Sequence, residues 1–168
     1  MKTTCAALLF ALLAAAAPAR AQHEHPAGHA TAAGIKALTP EQVAELLAGE
    51  GMGLAKAAEL NHYPGPKHVL ELAAQLDLSD AQLAKFRVLR VDVVAKATAL
   101  GRTIVDKERE LDALFAQSHA DAANLARLTN EIAKLQGELR AAHLQAHIDT
   151  RAALTSAQIE AYDRLRGY

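Results

Sequence analysis

Leu125, Leu128, Ile132, Leu135, Leu139, Ala142 and Ala146 recur at steps of three and four, a spacing that lines one face of a long α-helix. Such a stripe has to be covered by a companion. Upstream, Phe86, Leu89, Val93, Ala97, Leu100, Ile104, Leu111 and Leu114 repeat the pattern to about residue 117. Ser118-His119-Ala120-Asp121 between the two reads as a turn, with Ser118 or Asp121 placed to cap the second helix. The prediction is an elongated antiparallel helical hairpin whose first arm, at 1.5 Å per residue, spans on the order of 55 Å.

Folding about that turn sets residues level when their numbers sum to about 239. Gly101 then stands level with Gly137 or Glu138. Each mid-helix glycine costs about 1 kcal/mol relative to Ala. The pair marks either a bend or close approach of another backbone, or simple drift.

Three helix starts share one pattern: Leu38-Thr39 with Gln42, Leu78-Ser79 with Gln82, and Leu154-Thr155 with Gln158. In each, Leu staples the first turn, the hydroxyl caps it, and Gln reaches back to the cap's amide. The first copy, with Pro40 at N1, opens a short helix that Gly49, Gly51 and Gly53 interrupt. A helical pattern resumes over Leu54 to Leu60 and stops at Tyr63-Pro64-Gly65-Pro66. Lys67 to Leu76 adds a further short amphipathic helix with His68 and Glu71, and the last copy opens a terminal helix with Ile159, Tyr162 and Leu165 inward.

Composition agrees with an all-α chain: 51% of residues are hydrophobic but only 4% aromatic, and Ala and Leu favour helix over strand. Met1 to Ala21 reads as a cleavable secretory signal, with Lys2, an apolar run from Cys5 to Ala17, and Ala19-Arg20-Ala21 at the cleavage site. That run is too short to span a bilayer, so a soluble exported protein is expected, without a membrane span in the mature chain. Cys5 leaves with the signal, and disulfides and thiol catalysis leave with it. Losing Lys2 and Arg20 changes the balance to 16 − 19 = −3, which carries no nucleic-acid footprint. Residues 22–37 are expected to be a mobile leader before a helical-hairpin domain over 38–168. The leader's His23, His25 and His29 can collect a soft divalent metal weakly.

With the Leu78 to Gln82 and Leu154 to Gln158 motifs flanking the two long helices, the chain resembles the LTxxQ-motif periplasmic family, which includes Spy- and CpxP-like chaperones and ZraP- and CnrX-like heavy-metal resistance proteins. Ala146-His147-Ile148-Asp149-Thr150 is similar to what precedes the second motif in Spy-like members. The resemblance covers roughly Leu38 to Tyr168. It implies a helical hairpin, commonly a homodimer, in the periplasm, with ATP-independent protection of unfolded envelope proteins or metal binding as activities. Spy-like members are strongly basic, whereas this mature chain is slightly acidic.

Two constellations stand out. His143 and His147 are four apart, so their Cβ atoms lie about 6 Å from each other on one face and both imidazoles can address one Zn²⁺, Cu²⁺ or Ni²⁺. The hairpin level places Asp92 opposite His147 as a further ligand. The pair is not a metalloprotease motif, because Leu144 stands where HExxH needs its general-base Glu. No Ser/His/Asp order or phosphate loop is found either, so no enzyme is expected. Second, Val88, Val91 and Val94 fall off the stripe of their helix, as Leu144 and Ile148 fall off theirs, and hairpin levels bring the two sets together. They are either covered by a short helix or form a client or dimer surface. The reading is an envelope-stress protein holding unfolded envelope proteins. The alternative is a heavy-metal sensor or buffer feeding a membrane regulator.

Overall fold

The computed structural model describes residues 34–168; the signal, its cleavage site and the leader histidines His23, His25 and His29 lie outside them. The described chain forms α1 (Pro40–Ala48), α2 (Lys56–Glu59), α3 (Pro66–Glu71), α4 (Asp80–Ala116), α5 (Ala122–Ala152) and α6 (Ser156–Arg166). Among the described residues there is no strand, and no helix is long and apolar enough to cross a membrane.

Local chemistry sets the helix starts. Thr39, Ser79 and Thr155 accept from the backbone N–H of Gln42, Gln82 and Gln158, and each Gln accepts from its cap's N–H in return. Asp121 caps α5 through Asn124 N–H at 2.8 Å, while Ser118 takes a left-handed turn conformation with φ 58.

α4 and α5 pair antiparallel as the stripes predict. Lys107 bonds Glu131 at 2.9 Å and Arg127 bonds Glu110 at 2.9 Å near the turn; at the other end Gln82 Nε2 donates to the Ala153 carbonyl at 3.0 Å. Paired numbers thus drift from 107 + 131 = 238 to 82 + 153 = 235, within a helical turn of the expected level. The two capping motifs also clasp one another: Gln82 Nε2 donates to Gln158 Oε1 at 2.9 Å, and Gln158 Nε2 donates to the Leu76 carbonyl at 3.2 Å. Each glutamine therefore starts its own helix and ties the two ends of the hairpin base together.

Two cores result. In mid-hairpin, α1 lays Val43 and Leu46 with Ile35 onto Ala97, Ile104, Val105 and Leu139. At the base, Val69, Leu76, Phe86 and Tyr162 pack together. Ile35 is fully buried, and Lys36 N–H donates to Asp112 at 3.1 Å, so the packed unit begins before the expected boundary at Leu38. α1 explains Gly101, where a Cβ would overlap the Leu46 carbonyl. Gly49, in the left-handed conformation that ends α1, would meet Val94 O and Thr98 Oγ1 at 2.8 Å. Nothing lies within 4 Å of a Cβ at Gly137, which is drift rather than a second crossing.

Leu125 and Leu165 depart from their expected inward positions, being 40% and 48% exposed. Leu125 lies at the start of α5 beside the turn, just beyond the level of Asp112 where the Ile35–Lys36 segment meets α4, so little besides α4 covers it. The helix expected over Lys67 to Leu76 closes at Glu71 and continues as turns that still bury Leu76.

Candidate functional site

The sequence-predicted residues separate onto two surfaces. His143 and His147 are both 7% exposed, far from the solvated pair that helix spacing alone would allow. They project from α5 toward the segment between α1 and α3, and with His68 they line a cleft of about 200 Å³. The Gly51-Met52-Gly53 turn and α2 form one wall, and Arg90 and Val93 of α4 contribute to another. Asp92 is exposed on α4 and does not line the cleft, because a residue two beyond Arg90 points about 200° away around the helix.

His147 has a structural task. Its Nδ1–H donates to the Tyr63 carbonyl at 2.8 Å, and a Cβ on Gly65 would stand 2.8 Å from its Nε2. One ring nitrogen is thus bonded, and the ring packs against backbone that only glycine permits so close. The same segment is held by Arg151, whose Nε–H donates to the His62 carbonyl at 3.2 Å and whose guanidinium stacks 4.7 Å over the Tyr63 ring. His62 Nδ1 lies 2.9 Å from Asp163 of α6.

His143 differs. Its Nε2 is buried with no hydrogen-bond partner. Burial first, then the neighbouring His147 and Arg90 charges, hold its pKa below the ordinary imidazole value, and Glu50 opposes them. His68 is pulled down likewise by burial and then by Arg166. Its Nδ1 sits 3.5 Å from the Tyr162 hydroxyl, whose own pKa is pushed up to about 12 by burial. Among the described residues no three His, Cys, Asp or Glu side chains converge as a metal site requires. Among the described residues the His143 and His147 pair thus has no converging third ligand, and Asp92 is turned away from it.

On the second surface, Val88, Val91 and Ile148 are 58%, 66% and 49% exposed. Val88 and Ile148 each stand two residues from a buried one, Phe86 and Ala146, and so point about 200° away from the core. Their numbers sum to 88 + 148 = 236, so they share a level on the hairpin. Among the described residues no short helix covers them. Val94 and Leu144 are only half-buried.

Arg90, Tyr63 and Gly65 are site residues that the linear reading passes over. Arg90 carried a signal: it lies on the Phe86, Arg90, Val93, Ala97 line, a cation inside an apolar stripe. Tyr63 and Gly65 carried only a turn signal.

Residues 65–166, more than half of the chain, match the family model described as LTXXQ motif family protein. No curated protein and no solved structure matches.

Proposed function

Because the chain belongs to the LTXXQ motif family, we propose that it is a non-catalytic periplasmic protein that holds apolar segments of unfolded envelope proteins, without ATP, on the uncovered face of its helical hairpin. The observation that carries this reading is the exposure of Val88, Val91 and Ile148, three branched apolar side chains at neighbouring levels of rigid helices. Fully burying such a side chain yields about 1.5–3 kcal/mol. Three give roughly 5–9 kcal/mol before the ordering cost of a flexible client, which suits weak, reversible holding.

The test is suppression of aggregation of a chemically unfolded substrate by the wild type and by Val88→Ser/Val91→Ser/Ile148→Ser. The variant is expected to lose most protection with its melting temperature nearly unchanged, since exposed substitutions shift stability by about 0.5 kcal/mol or less. Undiminished protection would remove the reading. Sedimentation of both proteins separates a client surface from a homodimer surface, because a dimer contact there would dissociate in the variant.

A heavy-metal sensor or buffer feeding a membrane regulator is the second reading, favoured by the unpartnered Nε2 of His143. Among the described residues Zn²⁺, Cu²⁺ or Ni²⁺ finds no three converging ligands, and Nδ1 of His147 is already bonded to the Tyr63 carbonyl. These residues fit a closed tetrahedral site poorly. Equal Zn²⁺ affinity in the wild type and in His143→Ala/His147→Ala would dispose of this pair.

A further inference from the structure

Arg90 and His143 present an unmet demand on facing helices. Arg90 is half-buried, lines the cleft, and makes no hydrogen bond or ion pair with a described residue. Across from it, His143 is 7% exposed and its Nε2 is unpartnered. A guanidinium offers paired N–H donors in a fixed fork, and an imidazole offers one more. Neither is answered among the described residues. Exposed Met52 on the rim and the apolar Val93 and Ala146 complete the lining between them.

We propose that this cleft binds a small monocarboxylate, its carboxylate held between the Arg90 guanidinium and the His143 imidazole and its short apolar body against Val93, Ala146 and Met52. The charges around the cleft favour a single negative charge. Arg90, Lys56 and Lys67 face Glu50 and Glu59, a formal balance of 3 − 2 = +1 before the imidazoles of His68, His143 and His147 are counted. Lys67 is already 4.0 Å from Glu50, and Glu59 is 3.9 Å from His68. A doubly charged phosphate would set its second charge against those two glutamates. The volume, about 200 Å³, lies below the range usual for drug-sized ligands and admits an acid of a few carbons.

Binding couples to protons. Burial and the charges of His147 and Arg90 disfavour the imidazolium of His143, and a bound carboxylate supplies the missing counter-charge. The carboxylate is therefore bound with proton uptake and more tightly as pH falls toward the ordinary imidazole value.

The experiment titrates the full chain with butyrate, with EDTA present, by calorimetry and by nitrogen-detected NMR of the histidines, at pH about 6 and about 7.5, on either side of the free imidazole value. Saturable binding is expected, tighter at the lower pH and accompanied by a shift of the His143 ring resonances. Arg90→Gln, at a half-exposed position that leaves the core intact, should weaken it at least about tenfold, and Arg90→Lys should fall between, keeping charge without the fork. Absence of saturable binding, equal affinity in Arg90→Gln, or tighter binding of inorganic phosphate than of butyrate would each overturn the proposal.

Discussion

Replacing Gly101 and Gly137 by alanine, one at a time, sets two chemically identical changes against each other. Both glycines lie inside long helices, so alanine gains about 1 kcal/mol of helix propensity at each. At Gly137 nothing lies within 4 Å of the new methyl, and that gain should appear as raised stability. At Gly101 the methyl overlaps the Leu46 carbonyl, a backbone atom that cannot rotate aside, so the end of α1 must move off α4. Lifting α1 withdraws Val43 and Leu46, now 6% and 8% exposed, from the mid-hairpin core. At about 1.5–3 kcal/mol for each buried side chain, the loss is roughly 3–6 kcal/mol, and subtracting the propensity gain leaves about 2–5 kcal/mol of destabilisation. For a domain of ordinary stability, about 5–15 kcal/mol, that shift is large. Urea unfolding followed by circular dichroism measures both variants, and amide exchange should show α1 losing protection in Gly101→Ala while α4 and α5 keep theirs. Midpoints that rise together in the two variants would refute the crossing of α1 over Gly101.

Gln82→Ala and Gln158→Ala should each destabilise by about 1–2 kcal/mol through loss of a cap bond, and the double variant should cost less than the sum by about 0.5 kcal/mol or more because the two side chains bond each other; strict additivity in urea midpoints would deny the clasp. Acidification should weaken the fold: the pKa values of His143 and His68 are lowered from 6.5 on folding, so below that value the unfolded chain binds more protons and stability falls as pH drops toward 5. His143→Gln should flatten that decline, as read from melting temperature against pH, and an unaltered slope would show that His143 does not titrate in this way.

The sequence by itself determined the elements and their pairing. Apolar steps of three and four fix which helix faces must meet, and the Leu-Thr/Ser-x-x-Gln starts fix where helices begin, because both depend on residues within one or two turns of each other. The turn at residues 118–121 followed from the same local logic, and with it the level of every pair along the hairpin. The tertiary structure decided what a linear pattern does not encode: which flank of the hairpin the Ile35 to Glu71 arm covers. That choice buried His143 and His147, turned Asp92 to the solvent, and bonded Nδ1 of His147 to the Tyr63 carbonyl with Gly65 packed on its ring. It also left Val88 and Ile148 bare on the other side and gave Gly101 its reason. Helix periodicity is a property of neighbours in the chain, whereas burial depends on partners far away in sequence, as Leu46 is from Gly101 and Tyr63 from His147, and those meet only when the arm folds back.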